Sequence, residues 1–276
     1  MHCQCKNGFT LIEISIVLVI IGLIVGGILV GTDLINASII RSQITQIEKY
    51  HTAVNTFRGK YGGLPGDLAI PSANSFGFYT AVDCVGGVGQ RDGNGLIAGA
   101  HDTFGVLGGQ LGESLIFWAD LSSAGLISDQ FPGNGAAQPV CNSGHSTPLT
   151  LTSGTTYIGD YLPAGKIGYG TFVQVYNTNG INYYSLNIVN SVDNNGGTNA
   201  AFPCGGTCPA TVTGIPASMA YAIDAKIDDG LPHSGSVTAY FVSRGAFWDS
   251  QPYGYSTYPA DNGCYSGYCA LSFKFQ

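Results

Sequence analysis

The chain has 276 residues, of which 10% are charged and 11% aromatic, and its formal net charge is −7. This acidic balance argues against a sequence-independent grip on nucleic acid, which depends on lysine and arginine meeting phosphates. Glycine is abundant, at 41 residues, alongside 16 tyrosines. This composition indicates that most of the chain is a loop-rich region with β-structure rather than a charged cytosolic enzyme.

The N-terminal segment joins a short basic leader to a long apolar run. Lys6 is the only charged residue of the leader, and from Phe9 to Val30 every residue is apolar or small except Thr10, Glu13 and Ser15. A run of this length is enough for a helix to cross the hydrocarbon layer of a bilayer, which is about 30 Å thick. An acid within such a helix costs about 2.5 to 3.5 kcal/mol at its centre and less near its end, so we interpret Glu13 as functional and expect it to have a partner.

The sequence GFTLIE at positions 8–13 resembles the processing site of type IV pilins and type II secretion pseudopilins. The resemblance extends over residues 1–61. In that family the prepilin peptidase cuts after the glycine, here Gly8, and methylates the new N-terminal residue, here Phe9. The resemblance implies that Glu13 then neutralises the N-terminal amine of a neighbouring subunit during assembly, and a charge in lipid is tolerable once it is paired.

An ordinary secretory signal peptide is the alternative interpretation of this segment. Such a signal has a charged start, an apolar core and a small-residue cleavage site after the core. Ala37 and Ser38 imitate that site weakly, but an ordinary signal has no reason to hold Glu13. Because Lys6 precedes the span and the leader has no acid, we expect the N-terminus in the cytoplasm and the rest of the chain outside it.

The apolar run continues into an amphipathic segment without a break, since residues 33–57 contain neither proline nor glycine. Its apolar positions recur at helical spacings, and they are Ile40, Ile44, Ile47, Val54, Phe57 and Tyr61. This repeat predicts one helix of about 50 residues from Phe9 to near Arg58, roughly 75 Å long. His51 lies in the same row, and we interpret it as a core or interface residue rather than as a ligand.

The segment after the helix predicts a globular head. A glycine and proline cluster at residues 61–67 ends the helix, and a long loop is expected from there to residue 110. The predicted helices of the head cover residues 113–124 and 215–229. The predicted strands form a hairpin and two further segments, at residues 169–176, 181–189, 235–243 and 270–275.

These elements predict an α+β fold, a pilin-like lollipop in which one long N-terminal helix packs on an antiparallel sheet head with long disulfide-stapled loops. The predicted organisation has four parts: a leader at residues 1–8, a transmembrane and polymerisation helix at 9–32, an amphipathic helix half at 33–61, and a head at 62–276.

Two of the eight cysteines, Cys3 and Cys5, lie in the leader and would leave with it. An even number in an exported chain indicates disulfides, and six cysteines allow 15 connectivities that a sequence does not resolve. We favour local pairing of Cys204 with Cys208 and of Cys264 with Cys269, which leaves Cys84 with Cys141. A four-cysteine zinc site is the alternative, and the exported compartment makes it the weaker one.

Two acidic segments are candidate calcium sites. Asp92 and Asn94 stand one residue apart among glycines, as in the first part of an EF-hand loop, but Leu96 follows and no acid closes the loop. A tight turn is the alternative interpretation. Asp228 and Asp229 lie at a predicted helix C-terminus, where acids oppose the helix dipole. Nearby Lys226, a solvated turn or a bound calcium ion would each compensate for them.

The sequence offers no support for enzyme activity. It contains no phosphate-binding loop, no G-x-S-x-G elbow and no H-E-x-x-H pair, and its five histidines are scattered. A tyrosine-rich segment at residues 253–268 either covers the sheet or forms a contact surface, because aromatic rings with polar tips favour interfaces. Apart from the possible calcium, we expect no cofactor.

The predicted function is that of a structural subunit of a type IV pilus or a type II secretion pseudopilus. The expected partners are copies of itself, other pilin-like subunits, the prepilin peptidase, the inner-membrane assembly platform and the membrane. The subunit would reside in the bacterial inner membrane and then in a periplasmic pseudopilus or extracellular pilus. The alternative is a membrane-anchored adhesin or binding ectodomain that does not polymerise, and such a protein has no need of Glu13. A pilus-tip subunit that binds a surface would combine both, and the acidic balance makes DNA the weaker ligand.

Overall fold

The computed structural model describes residues 10–80, 91–97, 112–131, 151–152, 159, 162–188, 191–192, 215–232, 234–241 and 268–275. One long helix is followed by a head of shorter helices and antiparallel strands. The predicted α+β lollipop is therefore confirmed. The predicted disulfides are not tested, because no cysteine side chain lies in the part of the chain that the structure describes.

The long helix, α1, spans Leu11–Tyr61. It ends at Gly62, whose φ of 79° is left-handed and whose N–H donates to the Arg58 carbonyl at 2.9 Å. Glycine adopts this conformation without the penalty that a Cβ brings, which explains why the helix stops there. The predicted helix is confirmed, with its end three residues later than expected and Phe9 outside the described residues.

Three shorter helices follow in the described part of the chain: α2 at Ile70–Phe76, α3 at Gly112–Ser123 and α4 at Ala217–Ile227. The prediction of an uninterrupted loop up to residue 110 was wrong, because α2 lies within it. Pro71 stands in its first turn, where a proline costs no hydrogen bond, and Gly77 ends it with a φ of 76°. The predicted α3 is confirmed, while α4 starts later than predicted because Ile215 and Pro216 form a strand.

The main sheet has five antiparallel strands: β2 at Thr171–Thr178, β3 at Ile181–Ile188, β5 at Ile215–Pro216, β6 at Val237–Phe241 and β7 at Tyr268–Lys274. Strand β3 lies between β2 and β7, and β7 also pairs with β5 and β6. The predicted hairpin is confirmed, with a tighter turn at Asn179 and Gly180, both of which have positive φ. A second, two-stranded sheet of β1 at Leu151–Thr152 and β4 at Ser191–Val192 was not predicted.

The core lies between the helices and the main sheet. Helix α1 contacts α3 and α4, while α3 also contacts β2 and α4 contacts β5, β6 and β7. Tyr50 of α1 meets the ring of Trp118 edge-on at 4.8 Å, and Trp118 is fully buried. The second half of α1 is thus part of the head's core, and its first half extends away from it.

Candidate functional site

Glu13 caps the helix that carries it. Thr10 is the N-cap residue, and the Glu13 carboxylate accepts hydrogen bonds from its N–H and its hydroxyl, both at 2.7 Å. In return, the Glu13 N–H donates to the Thr10 hydroxyl oxygen at 3.3 Å. This reciprocal capping box satisfies helix-end donors that lipid would leave unpaired. A threonine and a glutamate three residues apart are a sequence signal for such a box, so this cap was predictable from the sequence, although it was not predicted above.

The first half of α1 exposes its apolar side chains on all sides. Every large apolar residue from Leu11 to Ile35 is exposed, from 46% for Ile14 to 89% for Leu11. Among the described residues, α1 is the one helix that is long and apolar enough to cross a membrane. An apolar surface of this extent is unfavourable in water, so it requires lipid or other helices around it.

The processing residues Gly8 and Phe9 lie outside the described residues, so their roles stay predictions. The predicted pairing of Glu13 with a neighbouring amine also stays a prediction.

The second half of α1 buries the predicted apolar stripe, including Ile40, Ile47, Val54 and Phe57. His51 is half-buried in the same row and meets the ring of Tyr184 edge-on at 5.3 Å. Burial lowers the pKa of His51, which favours its neutral form in this aromatic setting.

Two polar residues on the inward face were not predicted to be buried. Gln43 is fully buried and Gln46 is 6% exposed. The sequence does not show whether a polar residue on the buried face of a helix will find a hydrogen-bond partner in the folded protein.

The predicted disulfides are not placed by the structure. Cys84, Cys141, Cys204, Cys208 and Cys264 lie outside the described residues. Cys269 is described only through its backbone, in β7 opposite Ile215 and Phe241. The pairing therefore stays a prediction.

The segment with Asp92 and Asn94 is folded around a buried aspartate, Asp67. The Asp67 carboxylate accepts N–H bonds from Gly93 at 2.9 Å, Asn94 at 3.1 Å and Gly95 at 2.8 Å. The Asn94 side-chain oxygen accepts the Leu96 N–H at 2.7 Å. These bonds are those of the tight turn that we weighed against calcium.

The same segment carries a group of carboxylates. Oxygens of Asp67, Asp92 and Glu113 lie within 4.8 Å of one another. Such oxygens suit calcium, but those of Asp67 are already engaged by backbone donors. Burial, together with the neighbouring Asp92, raises the pKa of Asp67 to about 6. Calcium at Asp92 and Asn94 therefore stays a prediction.

Asp228 and Asp229 act as hydrogen-bond acceptors after α4. The Asp228 carboxylate accepts the N–H groups of Ser236 and Val237. Asp229 accepts the Leu231 N–H at 2.8 Å and the Ser234 hydroxyl at 2.5 Å, and these bonds lower its pKa. Together with Asp224 these residues form a second carboxylate group within 4.8 Å. The hydrogen bonds support the turn that we weighed as an alternative, and calcium there stays a prediction.

A buried ion pair, which the sequence did not indicate, holds the loop near α3. The Arg91 guanidinium donates to both oxygens of Asp120, at 2.9 and 2.7 Å, and its Nε donates to the Tyr79 carbonyl at 2.7 Å. Both charged side chains are almost fully buried. Burial raises the pKa of Asp120, whereas the paired guanidinium lowers it. The pair ties the loop to α3 and has no surface for a ligand among the described residues.

Comparison with known proteins agrees with the N-terminal part of this description. No curated protein and no solved structure gave a significant match to the chain. Residues 3–29 match the family model of the prokaryotic N-terminal methylation motif, the signature of type IV pilins and pseudopilins.

Proposed function

We propose that this protein is a structural subunit of a type IV pilus or a type II secretion pseudopilus, and that it polymerises through α1. The observation that carries the proposal is the methylation motif at residues 3–29 on a helix whose apolar half is exposed. A helix of this kind is unfavourable in water but stable in a bilayer or in a bundle of copies. The protein needs no catalytic site for this role.

In the proposed assembly, Glu13 pairs with the N-methylated amine of Phe9 in a neighbouring copy. The capping box supports this role, because it fixes the Glu13 carboxylate at the start of α1. In the membrane, the two Thr10 donors offset part of the cost of desolvating the carboxylate. A neighbouring amine would then supply the opposite charge that lipid does not.

Processing, membrane insertion and assembly along this proposed route imply the protein's partners and its location. The prepilin peptidase cuts after Gly8, the subunit waits in the bacterial inner membrane with its head outside the cytoplasm, and the assembly platform adds it to the polymer. The helix α1 provides the anchor for this stage, since it is long and apolar enough to span a bilayer. Other pilin-like subunits and copies of this chain are the proposed neighbours.

The test replaces Glu13→Ala in cells that assemble the polymer. We expect export and cleavage to remain, while the amount recovered in sheared filaments falls at least about tenfold, because the buried amine loses its partner. Ser15→Ala is the matched control, since Ser15 is an exposed polar residue two positions away whose hydroxyl donates to the Ile12 carbonyl at 2.8 Å. Normal incorporation of Glu13→Ala would contradict the proposal. Monomers that stay in the membrane without any filament, for the unaltered chain as well, would favour the non-polymerising ectodomain.

A further inference from the structure

The point where α1 joins the head is held by two buried glutamines. Ile40 is the first buried residue of α1, and Gln43 and Gln46 follow on the same inward side. Both face residues 162–170, which we call the neck loop. This loop lies about 120 positions further along the chain, directly before β2.

The two side chains bind the backbone of the neck loop at three points. The Gln46 Nε2 donates to the Ala164 carbonyl at 2.8 Å, and its Oε1 accepts the Lys166 N–H at 3.0 Å. The Gln43 Oε1 accepts the Ile167 N–H at 2.9 Å. The Gln46 amide thus bonds to a carbonyl and to an N–H two residues further on, as a neighbouring β-strand would.

The glutamines are also joined to each other and to the core. The Gln43 Nε2 donates to the Gln46 Oε1 at 3.1 Å, and the Gln46 Nε2 also donates to the Tyr50 hydroxyl at 2.9 Å. Burial raises the pKa of Tyr50, so its hydroxyl stays protonated. A buried polar network with its members hydrogen-bonded in this way favours one arrangement over its alternatives.

The neck loop is itself fixed to the rest of the head. The Val173 N–H donates to the Pro163 carbonyl and the Gly165 N–H to the Thr171 carbonyl, both at 2.8 Å. The Tyr169 hydroxyl lies 3.6 Å from the Met219 sulfur of α4. A side chain at Gly165 would overlap the Thr171 side chain, so the loop is closely packed there. The glutamines therefore connect α1 to the sheet and to α4, not to a free loop.

Hydrogen bonds at this junction specify the axial position of α1, which apolar packing alone does not. Apolar contacts are non-directional, so a helix can shift along an apolar surface by one turn, about 5.4 Å, and still bury its stripe. Because Gln43 and Gln46 lie three residues apart, the same shift would bring at most one of them to the former place of the other, so at least one of the three backbone groups of the neck loop would lose its glutamine partner. A buried polar group that is left unpaired is unfavourable, so one axial position is favoured.

We propose that Gln43 and Gln46 fix the axial position of α1 against the head, and that incorporation into the polymer requires this position. The inference rests on the proposed function. Thirty residues of unbroken helix separate Glu13 from Gln43, about 45 Å at 1.5 Å per residue. The junction therefore sets how far the Glu13 carboxylate stands from the head. In the polymer, the head and the Glu13 carboxylate must both contact neighbouring copies. If α1 is displaced against the head, only one of these two contacts can form.

The test uses the full-length chain with Gln43→Met and Gln46→Met together, which keeps side-chain length and helix propensity. In detergent, we expect hydrogen exchange at the amides of Lys166 and Ile167 to accelerate at least about tenfold. In cells, we expect export and cleavage to be unchanged and the amount in sheared filaments to fall at least about fivefold. Gln43→Met alone, which removes one of the three backbone bonds, should give an intermediate loss.

Two control variants distinguish a loss of the axial position of α1 from a general loss of the head's stability. Thr45→Val changes an exposed residue of the same turn to its isostere, and it should incorporate normally. Val175→Ala opens a cavity at a fully buried residue of β2 that lies outside the neck loop, and it lowers the head's stability. At equal or lower thermal stability than the glutamine variant, Val175→Ala should incorporate better.

Three results would overturn the inference. Normal incorporation of the double variant despite faster exchange is one, and an equal loss of incorporation in a stability-matched Val175→Ala is another. Unchanged exchange at Lys166 and Ile167 is the third, because it would mean that the glutamines do not hold the loop. Failure of the proposed function has a different signature: Glu13→Ala would incorporate normally, or the unaltered chain would appear in no filament.

Discussion

Asp67 is the residue on which the loop after α1 depends, and it is also a titrating group. It is 1% exposed, and its carboxylate accepts three backbone N–H bonds from residues 93–95. Its burial and the neighbouring Asp92 both favour the protonated form, while oxygens of Asp92 and Glu113 lie within 4.8 Å of its own. The sequence shows only an aspartate in a turn cluster, because its partners lie 26 to 28 positions away.

The raised pKa of Asp67 predicts how stability depends on pH. The folded pKa is about 6, against an ordinary value of 3.8, so the folded state binds this proton more tightly. The contribution of Asp67 is complete below pH 3.8 and is lost as the pH rises through 6, with a total of at most about 3 kcal/mol. We expect Asp67→Asn to flatten the pH dependence of the unfolding free energy between pH 4 and 7, by no more than this amount.

The measurement is denaturant unfolding of the full-length chain in detergent at several pH values, with a chelator present so that no cation contributes. Asp129→Asn is the control, since that side chain is exposed and lies outside the carboxylate group. If the unfolding free energies of Asp67→Asn and of the unaltered chain run parallel from pH 4 to 7, the assignment of a raised pKa to Asp67 is wrong.

At the scale of elements, the turn between α1 and α2 is set by two glycines of different kinds. Gly62 and Gly66 have nearly the same φ, 79° and 80°. A Cβ at Gly62 would meet nothing within 4 Å, whereas a Cβ at Gly66 would meet the Glu113 carbonyl oxygen and would lie 3.1 Å from the Phe117 nitrogen. Gly66 is therefore required both for its conformation and for the close approach of the turn to α3.

This difference predicts unequal effects of the same substitution. Gly62→Ala should cost about 1 kcal/mol of unfolding free energy, from its left-handed backbone alone. Gly66→Ala should cost about 2 kcal/mol more, because the turn must also move away from α3 and its N–H bond to Asp120 weakens. Thermal unfolding of the two variants side by side tests this, and equal losses would mean that the turn and α3 are not in close contact.

The elements that follow a simple period were predictable, and those set by distant contacts were not. The apolar spacing of residues 33–61 and the alternation around Asn179 and Gly180 predicted α1 and the hairpin. Helix α2 has only seven residues, too few for a period to emerge. The burial of Gln43 and Gln46 was not predicted, because their partners on the neck loop are supplied by the tertiary fold.

At the scale of the whole molecule, one helix carries two surfaces with different tasks. Its second half is packed into the core of the head. Its first half exposes apolar side chains and begins with the capping box of Thr10 and Glu13. The sequence predicted this division, since hydropathy and period both change near residue 33. Residues 3–29 match the methylation motif on which the prediction of Gly8 and Phe9 for processing and of Glu13 for assembly rests, and these residue roles stay predictions.

The most direct measurement of the central claim is the intact mass and N-terminal sequence of the protein recovered from sheared filaments and from membranes. The proposed function predicts a chain that begins at Phe9 and carries one added methyl group, because processing at Gly8 must precede assembly. A chain that still begins at Met1, or one cut beyond the apolar run at Ala37 and Ser38, would contradict it and leave an ordinary anchored or secreted protein.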